Sequence, residues 1–500
     1  MAFDEKYKAL RNFVRNFDLD DLVMMLVMYL REFDINGMER HFEQKRPIPW
    51  LLLMLLKMAF LYAGENNKKK KPTPNDIIRM YNELHDLDGE YQMAFFQKDS
   101  AEIYLTSTAL RQFWLQGNAY SGDFARVFFI FCQGNSGPIE RLFNEQYGIN
   151  LTTFVEMMLC VYVIIMQHPE KIFFRYSDVF ESLNYCNSDI ACFLSLVARD
   201  KDEVKKEIKS HQIIRSDFLL FGEVSPFWRF PFLRSGYEDL IVYCRRVLER
   251  ALTFIPFEFV KELGGDAALD YLGERFGLYV AGLLGDACNQ FIDEKTLEHN
   301  YGGKKTDFLI VENDTAVMIE AKSVRLGPVA RANPVSSLIF NDLEDNVVKA
   351  IKQGHELSKR LAEKGAAQNF YLLVVTYDDM YLGTPSRAWD VYFKEYFEAG
   401  FASGDIEQGP LPYENIFIIS INEFEELCVY SKAVGGFTDI LDKAVENNRA
   451  PETAKFSLSL SFPIGIDVEG LDNFISDNSR AVIDAFIKRQ EEAAASRNEE

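Results

Sequence analysis

Lys304-Lys305-Thr306-Asp307-Phe308-Leu309-Ile310-Val311-Glu312-Asn313-Asp314-Thr315-Ala316-Val317-Met318-Ile319-Glu320-Ala321-Lys322 places two apolar, β-type runs on either side of a Glu-Asn-Asp-Thr break. Asn and Asp tolerate the left-handed backbone that a two-residue hairpin turn demands, so Asn313 and Asp314 are expected to form the loop. Pairing then runs outward from Glu312 opposite Thr315 until Asp307 stands opposite Glu320. In that register the two acids share one side of the sheet, with Cβ atoms about 4.5–5.5 Å apart.

Leu309 pairs with Met318 and Val311 with Ala316 on the side of the acids, while Phe308 pairs with Ile319 and Ile310 with Val317 on the other. Apolar residues on both sides mark a strand pair buried between helices, which sets the acids at the edge of an apolar layer. Like charges directly across a ladder repel, and burial adds a desolvation cost, so a compensating cation is required. Lys322 lies two residues past Glu320 and on the same face. A bound magnesium ion is a second solution, because hard carboxylate oxygens are its usual ligands.

Asp307, a twelve-residue spacer built as a hairpin, and then Glu320-Ala321-Lys322 resemble the active-site signature of the PD-(D/E)XK nuclease superfamily, the restriction-endonuclease-like fold. The resemblance covers roughly residues 267 to 430. It implies Asp307 and Glu320 as ligands of Mg²⁺ or Mn²⁺, the main-chain carbonyl of Ala321 as a further ligand, and Lys322 as the lysine that orients or activates the attacking water. The family often adds an acid from the helix before the sheet; Glu274 is the best match, with Asp270 and Asp286 as alternatives. Thr306 stands where the proline of the signature would be, a variable position outside the chemistry. Lys352 and Gln353, on the following helix, either face the site as similar residues do in relatives or belong to a solvated helix face.

Lys304, Lys305, Arg325 and Arg331 form a basic cluster around the motif, suited to holding a phosphate backbone beside a metal, or to balancing Glu312, Asp314 and Glu320. Gly302-Gly303-Lys304-Lys305-Thr306 is not a phosphate loop. Glu298 occupies the first glycine position of that pattern, and Lys305 follows where Ser or Thr is needed. Nucleotide hydrolysis is therefore not expected.

Elements flank the motif in an α/β order: a helix from about Ala267 to Leu284, the two hairpin strands, a long amphipathic helix from Ser337 to Lys364, strands at Phe370–Tyr377 and Ile416–Ile421, and a helix from about Asn422. The expected fold is a restriction-endonuclease-like α-β-α sandwich with a mixed central sheet, preceded by a helical N-terminal region. Residues 1–255 read as that region, 256–435 as the nuclease-like domain, and 436–500 as an extension ending in a frayed or disordered tail. Within the first region Pro226-Phe227-Trp228-Arg229-Phe230-Pro231-Phe232 reads as aromatic core under a loop, leading into a helix that ends near Leu252, with the periodicity changing after Pro256.

The chain has 500 residues with 54 Lys and Arg against 76 Asp and Glu, a net charge of −22. That balance excludes a protein that coats nucleic acid through bulk charge, and leaves room only for local basic patches. Lys68 to Lys71, followed by Pro72 and Pro74, is one such run, read as a solvated loop between helices. Seven scattered cysteines without a C-x-x-C pair make structural zinc unexpected and point to a reducing compartment, hence a cytoplasmic location. The apolar runs Trp50–Tyr62 and Phe154–Met166 are shorter than the roughly 18 residues of a membrane span.

These readings converge on a metal-dependent endonuclease that hydrolyses phosphodiester bonds, with DNA as the expected substrate. The N-terminal region is expected to serve recognition, regulation or assembly with a partner protein or a second copy. Resemblance to multi-domain bacterial defence nucleases extends this to an antiviral role. The competing readings are a non-catalytic nucleic-acid-binding or scaffold protein that keeps a nuclease-like fold, and an enzyme directed at RNA.

Overall fold

The computed structural model of the chain describes residues 2–497 apart from 45, 65–68, 99–100, 117–120, 134–136, 181–184, 211–221, 224, 237–238, 289, 451 and 463–473. It is an α/β protein of mostly helical content with two mixed sheets. The chain divides into two compact units: residues 1–94, 111–269 and 480–500 form one, and residues 95–110 and 270–479 the other.

In the first unit the helix Pro49–Tyr62 opens on Pro49, whose missing N–H costs nothing at a helix start, and buries ten of its fourteen residues. Lys57 is among them, and its ammonium group is met by Glu223 at 2.8 Å. No single described helix is long and apolar enough to cross a membrane. Pro138–Tyr147 and Leu151–Gln167 meet that test only as a pair bent by 75°, and the second of them buries Phe154, Met157, Met158, Val161 and Ile165.

The same unit holds a four-stranded sheet that helical periodicity does not foretell. Strands β1 (Phe173–Arg175), β2 (Ala198–Arg199), β3 (Phe232–Ser235) and β4 (Asp239–Val242) lie in the order β1-β4-β3-β2, with only β2 and β3 parallel. The aromatic passage before β3 is core: Phe227 and Phe230 are buried, and the Phe227 ring lies 4.7 Å from that of Tyr243. Pro256 does not end a helix as its sequence position suggests. The helix Arg245–Leu263 runs through it, with Phe254, Phe257 and Val260 buried on either side, so packing outweighs the lost hydrogen bond.

Lys69, Lys70 and Lys71 are committed to local partners, the Arg15 carbonyl at 2.8 Å, Asp76 at 3.1 Å and Asp21 at 3.3 Å. Lys68 lies outside the described residues.

The second unit is built on a five-stranded sheet, β5 (Ile292–Asp293), β6 (Phe308–Glu312), β7 (Thr315–Lys322), β8 (Asn369–Thr376) and β9 (Ile416–Ser420), in that spatial order. β5, β6 and β7 are antiparallel neighbours, and β7, β8 and β9 run parallel. Parallel strands buried on both faces read as continuous apolar runs, and β8 (Asn-Phe-Tyr-Leu-Leu-Val-Val-Thr) is one.

Leu309, Ala316, Met318, Leu372 and Val374 meet Ile339, Leu343, Val347 and Ile351 in one core. These last four come from the expected long helix, which is interrupted: Ser336–Leu343 and Lys349–Glu363 are joined by a π-helical turn, Glu344–Val348. Val317, Ile319, Leu373 and Val375 are buried on the opposite face. The helix Thr438–Asn448 joins this unit: Tyr371 donates to Asp442, and the Glu312 carboxylate accepts from the N–H groups of Phe437 and Thr438 at the helix start.

Candidate active site

The hairpin has the register that its turn implies. Phe308 pairs with Ile319, Leu309 with Met318, Ile310 with Val317, Val311 with Ala316 and Glu312 with Thr315. Asn313 alone takes the left-handed backbone, at φ 54°. The Asp314 carbonyl accepts from the N–H groups of Gln368 and Asn369, tying the turn to the start of β8.

The ladder stops one pair before the acids. There the side chains take over from the main chain: the Asp307 N–H donates to Glu320 Oε2 at 3.1 Å, and the Ala321 N–H donates to Asp307 Oδ2 at 2.7 Å. Lys322 Nζ donates to Glu320 Oε1 at 2.5 Å. The side chains of Asp307, Glu320 and Lys322 are therefore together, with Glu320 only 2% exposed.

Burial, and then the neighbouring Asp307 charge, push Glu320 up to about 7, against the pull of Lys322. Burial also raises Asp307 above the usual carboxylate range, partly offset by the Ala321 N–H and by Lys322. One ammonium group thus faces two acids in an apolar layer.

Asp307, Glu320 and the main-chain carbonyl of Ala321 are the donors a divalent cation would use. Their hard oxygens and surplus negative charge fit magnesium or manganese in chemistry. Among the described residues no group of three or more carboxylate, imidazole or thiol side chains is gathered as a finished metal site.

Glu274 is not among the charges that act on Asp307 or Glu320. On the helix Gly265–Ala287 the buried stripe is Leu272, Phe276, Tyr279, Val280 and Leu283, and Glu274 projects from the exposed side. Asp270 is exposed as well, and Asp286 is bound to Lys432 at 2.7 Å. The acid that does approach is Glu294, the first residue of the helix Glu294–Tyr301. Its charge is felt by Asp307.

The pairing of β5 with β6, Ile292 to Leu309 and Asp293 to Phe308, leads next to Glu294 beside Asp307. That relation was legible in principle from Ile-Asp-Glu ahead of the hairpin. A two-residue strand, however, leaves no periodicity to recognise.

The expected phosphate-binding residues are mostly engaged. Lys304 pairs with Glu356, Lys305 with Glu298 and Glu294, and Arg331 with Asp378; Arg325 is half-buried after β7. Gln353 does reach the hairpin, donating from Nε2 to the Lys305 carbonyl at 2.8 Å. Lys352 turns away to the Tyr396 hydroxyl at 2.5 Å and lies over that ring.

A comparison with protein-family models matches none of them, and a comparison with curated proteins finds no similar sequence, so the functional reading rests on the geometry.

The raised Glu320 has a signed consequence. A carboxyl group held at about 7 in the fold against 4.5 outside it contributes stability below about pH 4.5 and loses it as pH rises through about 7. A divalent cation would reverse this by favouring the charged form. Binding of Mn²⁺ at pH 7 is therefore expected to release a substantial fraction of a proton, measured by titration calorimetry in buffers of different ionisation enthalpy. Binding without proton release would place the ion elsewhere.

Proposed function

We propose that the second unit is a metal-dependent nuclease domain of the PD-(D/E)XK type, with the restriction-endonuclease-like fold, and that it hydrolyses phosphodiester bonds in nucleic acid, with DNA as the expected substrate. The observation that carries this is the crossed pair: Asp307 and Glu320 bind each other's flanking main-chain N–H groups at the end of a buried hairpin, with Lys322 on Glu320. A merely structural ion pair gains little from burying two acids around one lysine, because desolvation then exceeds the attraction. The arrangement makes sense as a site prepared for positive charge.

When bound, Mg²⁺ or Mn²⁺ would lower the pKa of a water and stabilise charge on the phosphate. The chain's own residues do the rest. Asp307 is locked by the Ala321 N–H, which fixes its carboxylate to within a hydrogen bond of β7. Glu320 holds the Lys322 ammonium at the rim, where it can orient a water and stabilise charge developing on the phosphate oxygens. In-line hydrolysis without a covalent intermediate needs no nucleophilic side chain.

The test is cleavage of single- and double-stranded DNA and RNA by the full chain, with Mg²⁺ or Mn²⁺ and with chelator. Metal-dependent cleavage of at least one substrate is expected, DNA first. Asp307→Ala and Lys322→Ala are each expected to lower the rate by about 10²–10³-fold or more while circular dichroism stays unchanged. A wild-type chain that cuts none of the four substrates, or a Lys322→Ala variant that cuts at full rate, would remove the reading. The non-catalytic scaffold predicts neither cleavage nor metal binding dependent on Asp307 and Glu320.

A further inference from the structure

Cations beside the acid pair carry their own counter-ions. Lys305 Nζ lies 2.8 Å from Glu298 and 3.8 Å from Glu294, and its side chain is 12% exposed against 68% and 60% for the two acids. Lys304 meets Glu356 at 3.2 Å, and Arg360 approaches the same carboxylate at 3.9 Å. Arg331 and Asp378, 2.9 Å apart, have side chains only 7% and 11% exposed.

These pairs differ in how readily they exchange. An exposed ion pair is worth little in water, so a phosphate can replace its carboxylate at small cost. A buried pair resists separation because the remaining charge is left uncompensated. Each of the Lys304 and Lys305 pairs has one partner open to water, Lys304 itself at 64% and Glu298 at 68%, and so belongs to the exchangeable class, whereas Arg331 and Asp378 are both closed off and belong to the fixed one. Gln353 holds the Lys305 carbonyl, so the main chain two residues before Asp307 is anchored and exchange at Lys305 concerns the side chain.

We propose that Glu298 and Glu356 set the affinity of this site for nucleic acid, by neutralising Lys305 and Lys304 in the free protein and yielding them only to a phosphate backbone. The proposal rests on the reading that the acid pair acts on nucleic acid. In a chain of net charge −22, such masking restricts binding to a polyanion that can displace both carboxylates at once beside the acids. A lysine that merely changes partners adds little net charge neutralisation, so the salt dependence of binding is shallow in the wild type. It becomes steeper once the carboxylates are removed.

The experiment is fluorescence anisotropy of a short DNA duplex with the full chain in chelator, titrated at several salt concentrations. Glu298→Gln with Glu356→Gln is expected to bind about tenfold more tightly at low salt. Its slope of log K against log salt should steepen by about 0.9 for each lysine released. Lys305→Met should change little in the wild-type background and remove about one such contact in the Gln background. Wild-type slope and affinity in the Gln variant, or an equal effect of Lys305→Met in both backgrounds, overturns the proposal. Cleavage by the wild type with Mn²⁺ is followed in parallel; its absence removes the nuclease reading, while the slopes still decide whether the two acids mask the lysines.

Discussion

Glu320→Gln is expected to abolish metal-dependent cleavage, by about 10³-fold or more, and at the same time to make the metal-free protein more stable at pH 8. The two effects have one cause. Glu320 is 2% exposed, and burial and Asp307 push its carboxyl group up to about 7, so above that pH the fold carries an unfavourable buried charge. The amide retains the shape but has one acceptor oxygen where the carboxylate has two, so it can accept from the Asp307 N–H or from Lys322 and not from both, and it carries no charge to desolvate.

Each unit of pKa displacement corresponds to about 1.4 kcal/mol. The expected gain is on the order of 2–3 kcal/mol at pH 8 and falls to about 1 kcal/mol or less at pH 5, where the folded wild-type group is neutral and only the unfolded one is largely ionised. Adding Mn²⁺ should raise the unfolding midpoint of the wild type, because an ion that binds only the folded chain stabilises it by mass action, and should leave the variant unmoved. Residues kept for function at the expense of the fold behave this way. If Glu320→Gln instead lowers stability at pH 8, the Lys322 pair is a structural clasp and the acid pair loses its claim to chemistry.

What the sequence makes legible follows the strength of local signals. The hairpin is readable because two apolar runs meet at Asn-Asp, and the two-residue turn fixes the register that an apolar pattern present on both faces would leave open. The positions of Asp307, Glu320 and Lys322 are consequences of that register.

Strands β1 and β2 are three and two residues long, too short for any periodicity, so the first unit reads as helical throughout. The placement of residues 95–110 with the second unit depends on long-range packing: Thr106 donates to the Tyr381 carbonyl at 2.7 Å, across a separation that no local pattern records. Glu274 is suggested by its place as an acid on the preceding helix, but the acid whose charge acts on Asp307 is Glu294, and which residues of a helix meet a site depends on what packs against it. Glu294 and the partners of Lys305 escaped notice for the same reason. Ion pairing between a helix and a loop is a tertiary event.

Arg31→Ala is expected to cost the first unit about 3–5 kcal/mol, the usual result of removing one partner of a buried pair. Arg31 and Asp34 lie 2.6 Å apart with side chains 2% exposed. The guanidinium also donates to the carbonyls of Pro169 at 2.8 Å and Lys171 at 3.3 Å, and Asp34 accepts from the Arg245 N–H at 2.8 Å. One cluster thus joins a turn after Leu151–Gln167 to the start of Arg245–Leu263.

Burial lifts Asp34 to about 6 in spite of Arg31, so at neutral pH the carboxylate is charged and depends on its partner. Without Arg31 its pKa rises further, and the folded state then favours the protonated acid. Stability present at low pH is lost as pH rises, so the defect should be larger at pH 8 than at pH 5. Hydrogen exchange should localise it to amides around 168–175 and 245–250. Arg31→Met combined with Asp34→Leu removes both charges and should recover much of the loss, since an apolar pair of similar volume avoids the desolvation cost. An Arg31→Ala chain that unfolds at the wild-type midpoint at both pH values would mean that these contacts contribute no net stability.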